Sequence, residues 1–322
     1  MKNVIHVNFA AMKYAVALLF ISISILVSAQ NKNLTRELQV ENENDAYTLN
    51  LSRDQYYTNG VALRYRMITD SSRWNSRLEK VIRSYDLNHR IYTPKFLDWE
   101  DVEDMDRPYA GQISIAASNE YYMKNNSYSK IKLELGWMGP SLRTGDLQYN
   151  WHKLFGMTLP QGWEYEINDA PIFNAYGAFA KTLASANGID LNTESNVALG
   201  TTFSHIRQEF MVRMGNFKSI QKSTQYNGVL GISNDGPGQH EFYFFLSPGV
   251  EYVAYNATIE GNWLGKESIY VETREPWVFQ MRAGIMASWT KFDFALIYYR
   301  RTKETTEARF HKFVGIRMSQ RF

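Results

Sequence analysis

From Tyr57 onward the chain alternates: Val61, Leu63, Tyr65 and Met67 fall on one face of an extended segment, and Thr58, Gly60, Ala62, Arg64 and Arg66 on the other. Successive side chains of a strand point to opposite faces. A soluble sheet buries its apolar face and wets the other. Here the polar face carries two arginines and a threonine, just inside a loop rich in Asn, Glu and Asp. That is the expected look of a barrel strand with a lipid-facing outside and a wet inside, which places Thr58 in the lumen beside Arg64 and Arg66. The same period returns near the other end of the chain. Phe292, Phe294, Leu296 and Tyr298 alternate with Asp293, Ala295, Ile297 and Tyr299, and Ile316, Met318 and Phe322 alternate with Arg317, Ser319 and Arg321.

Read in order, the pattern predicts strands over residues 34–43 (Leu38 and Val40 toward lipid), 56–68, 84–93, 107–122, 130–139, 172–183, 191–203, 209–214, 241–255, 277–289, 292–301 and 310–322. Residues 70–81 read as a polar turn or short helix. The β pattern breaks over 144–169, where Leu147, Trp151 and Leu154 line one helical stripe, Asp146 can cap and Gly156 can end a short helix. The fold class is therefore all-β: a transmembrane antiparallel β-barrel of about twelve strands with long outer loops and a short loop helix, the even count suiting closure. With the first strand entering from the inner side, the polar loops at 44–54, 95–106 and 144–169 all fall on the outer rim. That assignment hangs on the weakly alternating third strand. The final strand, ending on Phe322, resembles the terminal strand of outer-membrane barrels.

Composition narrows the picture. Residues 1–29 read as a signal peptide: Lys2 and Lys13 make a positive n-region, residues 15–27 an apolar h-region, and Val27-Ser28-Ala29 a cleavage site before Gln30. A single spanning helix would need about 20 apolar residues. Met12 is an alternative start. The barrel domain is then residues 30–322, with cell outer membrane as the expected location. Removing residues 1–29 takes two lysines and no acid from a chain of net charge +2, leaving 33 basic and 33 acidic residues. A neutral chain argues against nucleic acid as a partner. Cysteine is absent, which excludes disulfides and thiol chemistry. Aromatics at 15% with a mean hydropathy of −0.40 fit half-apolar strands with Tyr/Trp girdles better than long apolar helices.

Candidate chemistry is confined to a few places. Gln148 and His152 stand at i and i+4 on the predicted helix, on a face beside the apolar stripe. A histidine there can act as a general base, or be an ordinary surface histidine. Asn42, Glu43, Asn44 and Asp45 form a dense cluster of oxygen ligands that suits Ca²⁺ better than Zn²⁺, though a solvated hairpin turn has the same composition. No G-x-S-x-G elbow, H-E-x-x-H or Walker loop is present.

Taken together, VENENDAY, DQYYTNGVALRY at 54–65, IYTP at 91–94, DRPYAG at 106–111, LGWMGP at 135–140, GDLQYNWHKLFG at 145–156 and PQGW at 160–163 resemble the outer-membrane lipid A 3′-O-deacylase family. LGTTFSHI at 199–206 and YVAYNATIEGN at 252–262 are weaker matches, and the order holds over nearly all of the mature chain. The resemblance implies a twelve-stranded barrel with a Ca²⁺-dependent esterase site near the outer rim, acting on lipid A of lipopolysaccharide in the outer leaflet, as a monomer. It implies His152 as the base that activates water, with Gln148 beside it and Thr58 nearby. The family's Asn-Asp pair maps to Asn42-Glu43 or, with a shift, to Asn44-Asp45. Strand parity prefers the first, which makes Glu43 the expected carboxylate ligand and Asp45 the next. Lys95 follows the IYTP segment where the family uses a lysine, and its acidic residue after the GW motif is Glu164, Glu166 or Asp169. The alternative in another class is a non-catalytic barrel, a small pore or a structural protein.

Overall fold

The computed structural model describes residues 34–48, 55–70, 75–99, 101–231 and 240–322. The expected signal segment and the tip of the first polar loop lie outside the described residues. Twelve strands follow one another around a single ring: β1 (Arg36–Asn44), β2 (Tyr56–Ile68), β3 (Leu78–Thr93), β4 (Ala110–Met123), β5 (Ser127–Met138), β6 (Ala170–Ala186), β7 (Ile189–Gly200), β8 (Phe203–Asn216), β9 (Glu241–Asn256), β10 (Trp277–Ser288), β11 (Phe292–Arg301) and β12 (His311–Arg321). Each strand is antiparallel to its neighbours, and β1 pairs with β12 to close the barrel. Closure is what a spanning sheet needs, because hydrocarbon offers no partner to an unpaired backbone group and a closed ring has no edge. One helix, α1 (Thr144–Phe155), stands in the loop between β5 and β6. Among the described residues no helix is long and apolar enough to cross a membrane.

Side chains sort by parity as expected. On β12, Arg317, Ser319 and Arg321 are buried in the lumen while Ile316 and Met318 face outward. The outer wall carries large apolar side chains, among them Leu87, Ile113, Ile131, Leu133, Leu135, Phe242 and Phe244, all exposed. In water such a surface would be an aggregation hazard; against lipid it is the required one. The lumen holds the charges in pairs. Arg66 lies 2.6 Å from both Glu37 and Glu120, Arg64 2.9 Å from Asp86, and Arg282 2.8 Å from Glu209. A buried charge is tolerable only when it is paired or hydrogen-bonded.

β3 and β8 begin well before their alternation suggested. β3 begins at Leu78 and absorbs part of the expected polar turn, because Lys80 points inward and its ammonium donates to the carbonyls of Gly228 and Leu230. β8 begins at Phe203 rather than 209, the lumen face of its first residues being polar at His205 and Arg207, which meet Glu251 and Glu209. The segment after β8 folds into the inner end of the barrel. Its Ile220, Tyr226 and Leu230 pack on Ile82, Tyr122, Tyr128 and Ala180, and Arg66 and Arg317 donate to the carbonyls of Asn227 and Thr224. That end of the lumen is filled. The three polar loops after β1, β3 and β5 emerge together at the opposite rim, as expected.

Ile115 lies near the middle of β4, faces outward and is 60% exposed. Ile115→Arg is expected to cost about 2–4 kcal/mol at the bilayer midplane, whereas Ile115→Ala is tolerated. The fraction of heat-modifiable barrel after refolding into vesicles measures both, and equal folding of the two variants would contradict a lipid-facing wall.

Candidate active site

The pairing of β2 with β3 slips by one residue at the rim: Tyr57 lies opposite Tyr92 and Asn59 opposite Ile91, so Thr58 is an insertion. A bulge of this kind adds a residue to one strand and resets which face its side chains take. The residue at the start of β2, Tyr56, has φ 62°. Tyr57 goes into the lumen, its ring 5.4 Å from that of Tyr92 and 5.0 Å from that of Phe313. Thr58 does not join it. Its hydroxyl is 2.7 Å from that of Thr93, which follows lumen-facing Tyr92 on β3. The expectation that Thr58 points inward beside Arg64 and Arg66 is therefore corrected. Unbroken alternation puts it in the lumen, and the bulge turns it to the outer wall.

The register extends this patch. Asn44 is paired with Asn59, Asn59 with Ile91 and Ile91 with Gly111, so four neighbouring strands meet in one row at the rim. Asn42 and Asn44 share the outward parity of Val40, which pairs with outward-facing Met318. The helix docks on this row. Thr144, Gln148 and His152, one face of α1, are its buried residues. Thr144 sits on Gly111 so closely that a Cβ there would lie 2.3 Å from the Thr144 hydroxyl oxygen. Outward-facing His89 reaches the same hydroxyl at 3.4 Å. The apolar stripe of Leu147, Trp151 and Leu154 is instead 55%, 51% and 74% exposed. Its polarity is inverted relative to a soluble surface helix, as suits a helix lying in a lipid interface. Asp146 does not cap α1: it lies in the first turn, where its charge favours the helix dipole, and it pairs with Arg143 at 2.6 Å.

The loop after α1 orients the two candidate side chains. Gly156, at φ 64°, ends the helix and turns the chain back. His152 Nδ1 then meets the Thr158 carbonyl at 2.5 Å. A carbonyl only accepts, so Nδ1 carries the proton, and in the neutral ring Nε2 is the basic nitrogen. The Trp163 indole N–H donates to Gln148 Oε1 at 2.9 Å. Trp163 is held in turn by Tyr109, with ring centroids 4.7 Å apart, and by Gly145, where a Cβ would lie 2.7 Å from its Cγ. Asp106 accepts from the Tyr56 hydroxyl at 2.7 Å and from the Lys95 backbone N–H at 2.9 Å, tying the bulged start of β2 to the loop after β3. Arg107 stacks over Tyr92, 5.0 Å from its ring centre, and donates to Thr258 Oγ1 at 3.0 Å. The DRPYAG and PQGW segments thus act as scaffold for α1. Trp163, Tyr109 and Thr158 were not anticipated as site residues, because only their neighbours in space reveal what they hold.

The remaining candidates divide between the two sides of the wall. Asn42 donates to the Gly60 carbonyl at 3.0 Å and accepts from the Tyr47 hydroxyl. Asn44 Oδ1 accepts from the Ala46 N–H at 2.8 Å. Asp45 is buried and accepts from the Gln55 N–H at 2.6 Å, three residues before Thr58. Glu43 faces the lumen, as its parity predicts, and there it accepts from the Tyr57 hydroxyl at 2.6 Å. That places it across the barrel wall from Thr58 and α1. The Lys95 ammonium lies 4.2 Å from the centre of the Phe96 ring. Among the described residues no three of His, Cys, Asp and Glu gather as a metal-binding group. The donors that the end of β1 and the start of β2 bring to the rim are oxygens: one buried carboxylate at Asp45, the amides of Asn42 and Asn44, and the Thr58 hydroxyl. That set fits a hard cation such as Ca²⁺ and does not fit zinc.

The family described as "Outer membrane protein LpxR" matches residues 15–322. Among solved structures, LpxR from Salmonella typhimurium is similar with a TM-score of 0.71 at 17% identity, over 89% of this chain and 100% of that one. An outer membrane channel from Pseudomonas putida F1 gives a TM-score of 0.47 at 9% identity over 92% and 100% of the two chains. The β domain of the Bordetella autotransporter BrkA gives 0.45 at 8% over 89% and 99%. No curated protein matches the chain.

Of the three acids after the GW motif, Glu166 is buried while Glu164 is exposed and Asp169 bonds Ser141 and the Trp137 indole. Burial, and then the charge of Asp169, push the Glu166 carboxyl up to about 8. A raised acid is protonated in the folded chain, so the stability this state contributes is complete below the ordinary carboxylate range and is lost as pH rises through about 8. Amide exchange across residues 157–169 should therefore quicken between pH 5 and pH 9, beyond the intrinsic rate change, and Glu166→Gln should flatten that trend. An unchanged trend in the variant would remove Glu166 as its source.

Proposed function

Because the chain belongs to the LpxR family of outer-membrane proteins, we propose that it is a lipid A deacylase, an esterase releasing the 3′-linked acyloxyacyl group with water as the nucleophile. The observation that supports this most is the His152–Thr158 hydrogen bond, on a helix face pressed against the outer wall of the barrel. With its proton on Nδ1, His152 can take a proton at Nε2 from a water attacking the ester carbonyl. The Thr158 carbonyl then steadies the imidazolium. As the bond from the carbonyl carbon to the sugar oxygen breaks, Nε2 returns the proton to that oxygen, giving a free acid and a hydroxyl. Gln148, its amide set by Trp163, stands one turn before His152 to orient water or substrate. In this reading the Thr58 hydroxyl, on the same outer row and bonded to that of Thr93, donates where negative charge develops.

Ca²⁺ held by Asp45, Asn42, Asn44 and Thr58 would supply positive charge for the same oxyanion. Asp45 replaces Glu43 as the carboxylate in this reading, because Glu43 lies on the lumen side. An outward-facing site also suits a substrate that arrives by sliding along the membrane, over Val61, Leu87 and Ile113. The filled inner end of the lumen speaks against the pore alternative.

Mass spectrometry of lipid A after incubation with purified protein tests the base. His152→Ala should lower the rate at least about 100-fold, within the range for loss of a general base, while the barrel stays heat-modifiable. Near-normal turnover in that folded variant would remove His152 from the role. The same assay tests the cation. EDTA should stop the reaction and Ca²⁺ restore it. Asp45→Asn should raise the Ca²⁺ needed for half-maximal rate more than Glu43→Gln does. Full turnover in EDTA would exclude the metal, and a larger effect at Glu43 would move the site to the lumen side.

A further inference from the structure

Arg64, Arg66, Arg213, Arg282 and Arg321 point into the lumen, and each meets a carboxylate. Arg83 on β3 points the other way. Its neighbours Ile82 and Ser84 are buried inside, and Arg83 is exposed on the outer wall with Tyr85 and Leu87. Among the described residues no carboxylate pairs with it. Its Nε donates to Asn119 Oδ1, directly opposite on β4, at 3.1 Å, which leaves the two terminal nitrogens of the guanidinium facing outward.

Depth gives this cation a meaning. Arg83 precedes Thr93, at the rim, by ten positions. At about 3.3 Å per residue that is about 33 Å along the strand, and a tilt of about 40° reduces it to about 25 Å along the barrel axis. That equals the height of the apolar band of such barrels. Arg83 therefore stands at the far interface, in the leaflet opposite the candidate active site. A shallow groove adjoins it, with Ala117 as its floor and Tyr85, Ile131 and Leu133 as its walls. The walls are side chains that lipid would cover, exposed by 46%, 60% and 61%.

We propose that this groove binds one glycerophospholipid of that leaflet, its phosphate on Arg83 and Asn119 and the first part of an acyl chain over Ala117. A guanidinium presents paired donors that match phosphate oxygens in a fixed plane. Headgroup phosphate is the anion present at this depth, and a cation at the interface attracts it. The apolar groove starts where the chain attached to that phosphate would start. The site is separate from the outer-rim chemistry and does not depend on it.

Native mass spectrometry of the protein transferred from phosphatidylglycerol nanodiscs into mild detergent tests the proposal. The wild-type barrel should retain one phosphatidylglycerol per chain, and should retain no diacylglycerol from nanodiscs doped with it. Arg83→Gln should lower the retained fraction at least fivefold. Arg300→Gln, which removes an outward cation near the other rim, should leave it unchanged. Ala117→Phe, which fills the groove floor and keeps the cation, should also lower it, and it serves as the test if Arg83→Gln does not fold. Equal retention in wild type and in the folded Arg83→Gln or Ala117→Phe barrel would overturn the site, as would equal retention of diacylglycerol.

Discussion

A peptide backbone surrounded by hydrocarbon must satisfy its own hydrogen bonds, and the rest of this molecule follows from how twelve strands do so. Closure between β1 and β12 leaves two surfaces with opposite demands. The inner one must be polar and internally satisfied, so Arg64, Arg66, Arg213, Arg282 and Arg321 sit on carboxylates and Arg317 on a backbone carbonyl. The outer one must be apolar. Function then has three places to sit: in the lumen, at the rim, or on the outside against lipid. The described part of the segment after β8 packs into the inner end of the lumen, on Ile82, Tyr122, Tyr128 and Ala180.

The outside became available for chemistry through two local departures from regular structure. The bulge at Thr58 moves a hydroxyl from the lumen to the outer wall. The glycine at 111 lets a helix approach that wall closely enough for Thr144 to touch it. The helix then presents Gln148 and His152 inward and its apolar stripe outward, an arrangement stable only where the surroundings are lipid. The PQGW and DRPYAG segments hold it there through Trp163 and Tyr109.

How much of this could be read in advance depended on how cleanly each strand separated its faces. The strands from 292 and from 311 alternate cleanly, and which of their residues share a face was legible from the sequence. The first residues of β3 and β8 were not, since Lys80, His205 and Arg207 are polar because they face the lumen and so resemble loop residues in a one-dimensional pattern. The candidate base and its partner were visible as an i, i+4 pair on a short helix. The side of the wall was not visible, because one inserted residue at Thr58 reverses parity without altering composition. For the same reason the inward orientation of Glu43 was anticipated correctly, while its nearness to the other candidates was not. Trp163 and Thr158 act through contacts made only after the loop folds back, and nothing in their spacing announces them.

The face of α1 that carries Gln148 and His152 is pressed on the outer wall, while Leu147, Trp151 and Leu154 on its opposite face are exposed where lipid would lie. The chain has no cysteine, so Trp151→Cys creates a single site for a nitroxide label. Paramagnetic relaxation of that label, in protein reconstituted into vesicles, reports its surroundings directly. Membrane-soluble oxygen is expected to relax it more strongly than a water-soluble nickel chelate does. Stronger relaxation by the nickel chelate would place the helix in water and contradict the account.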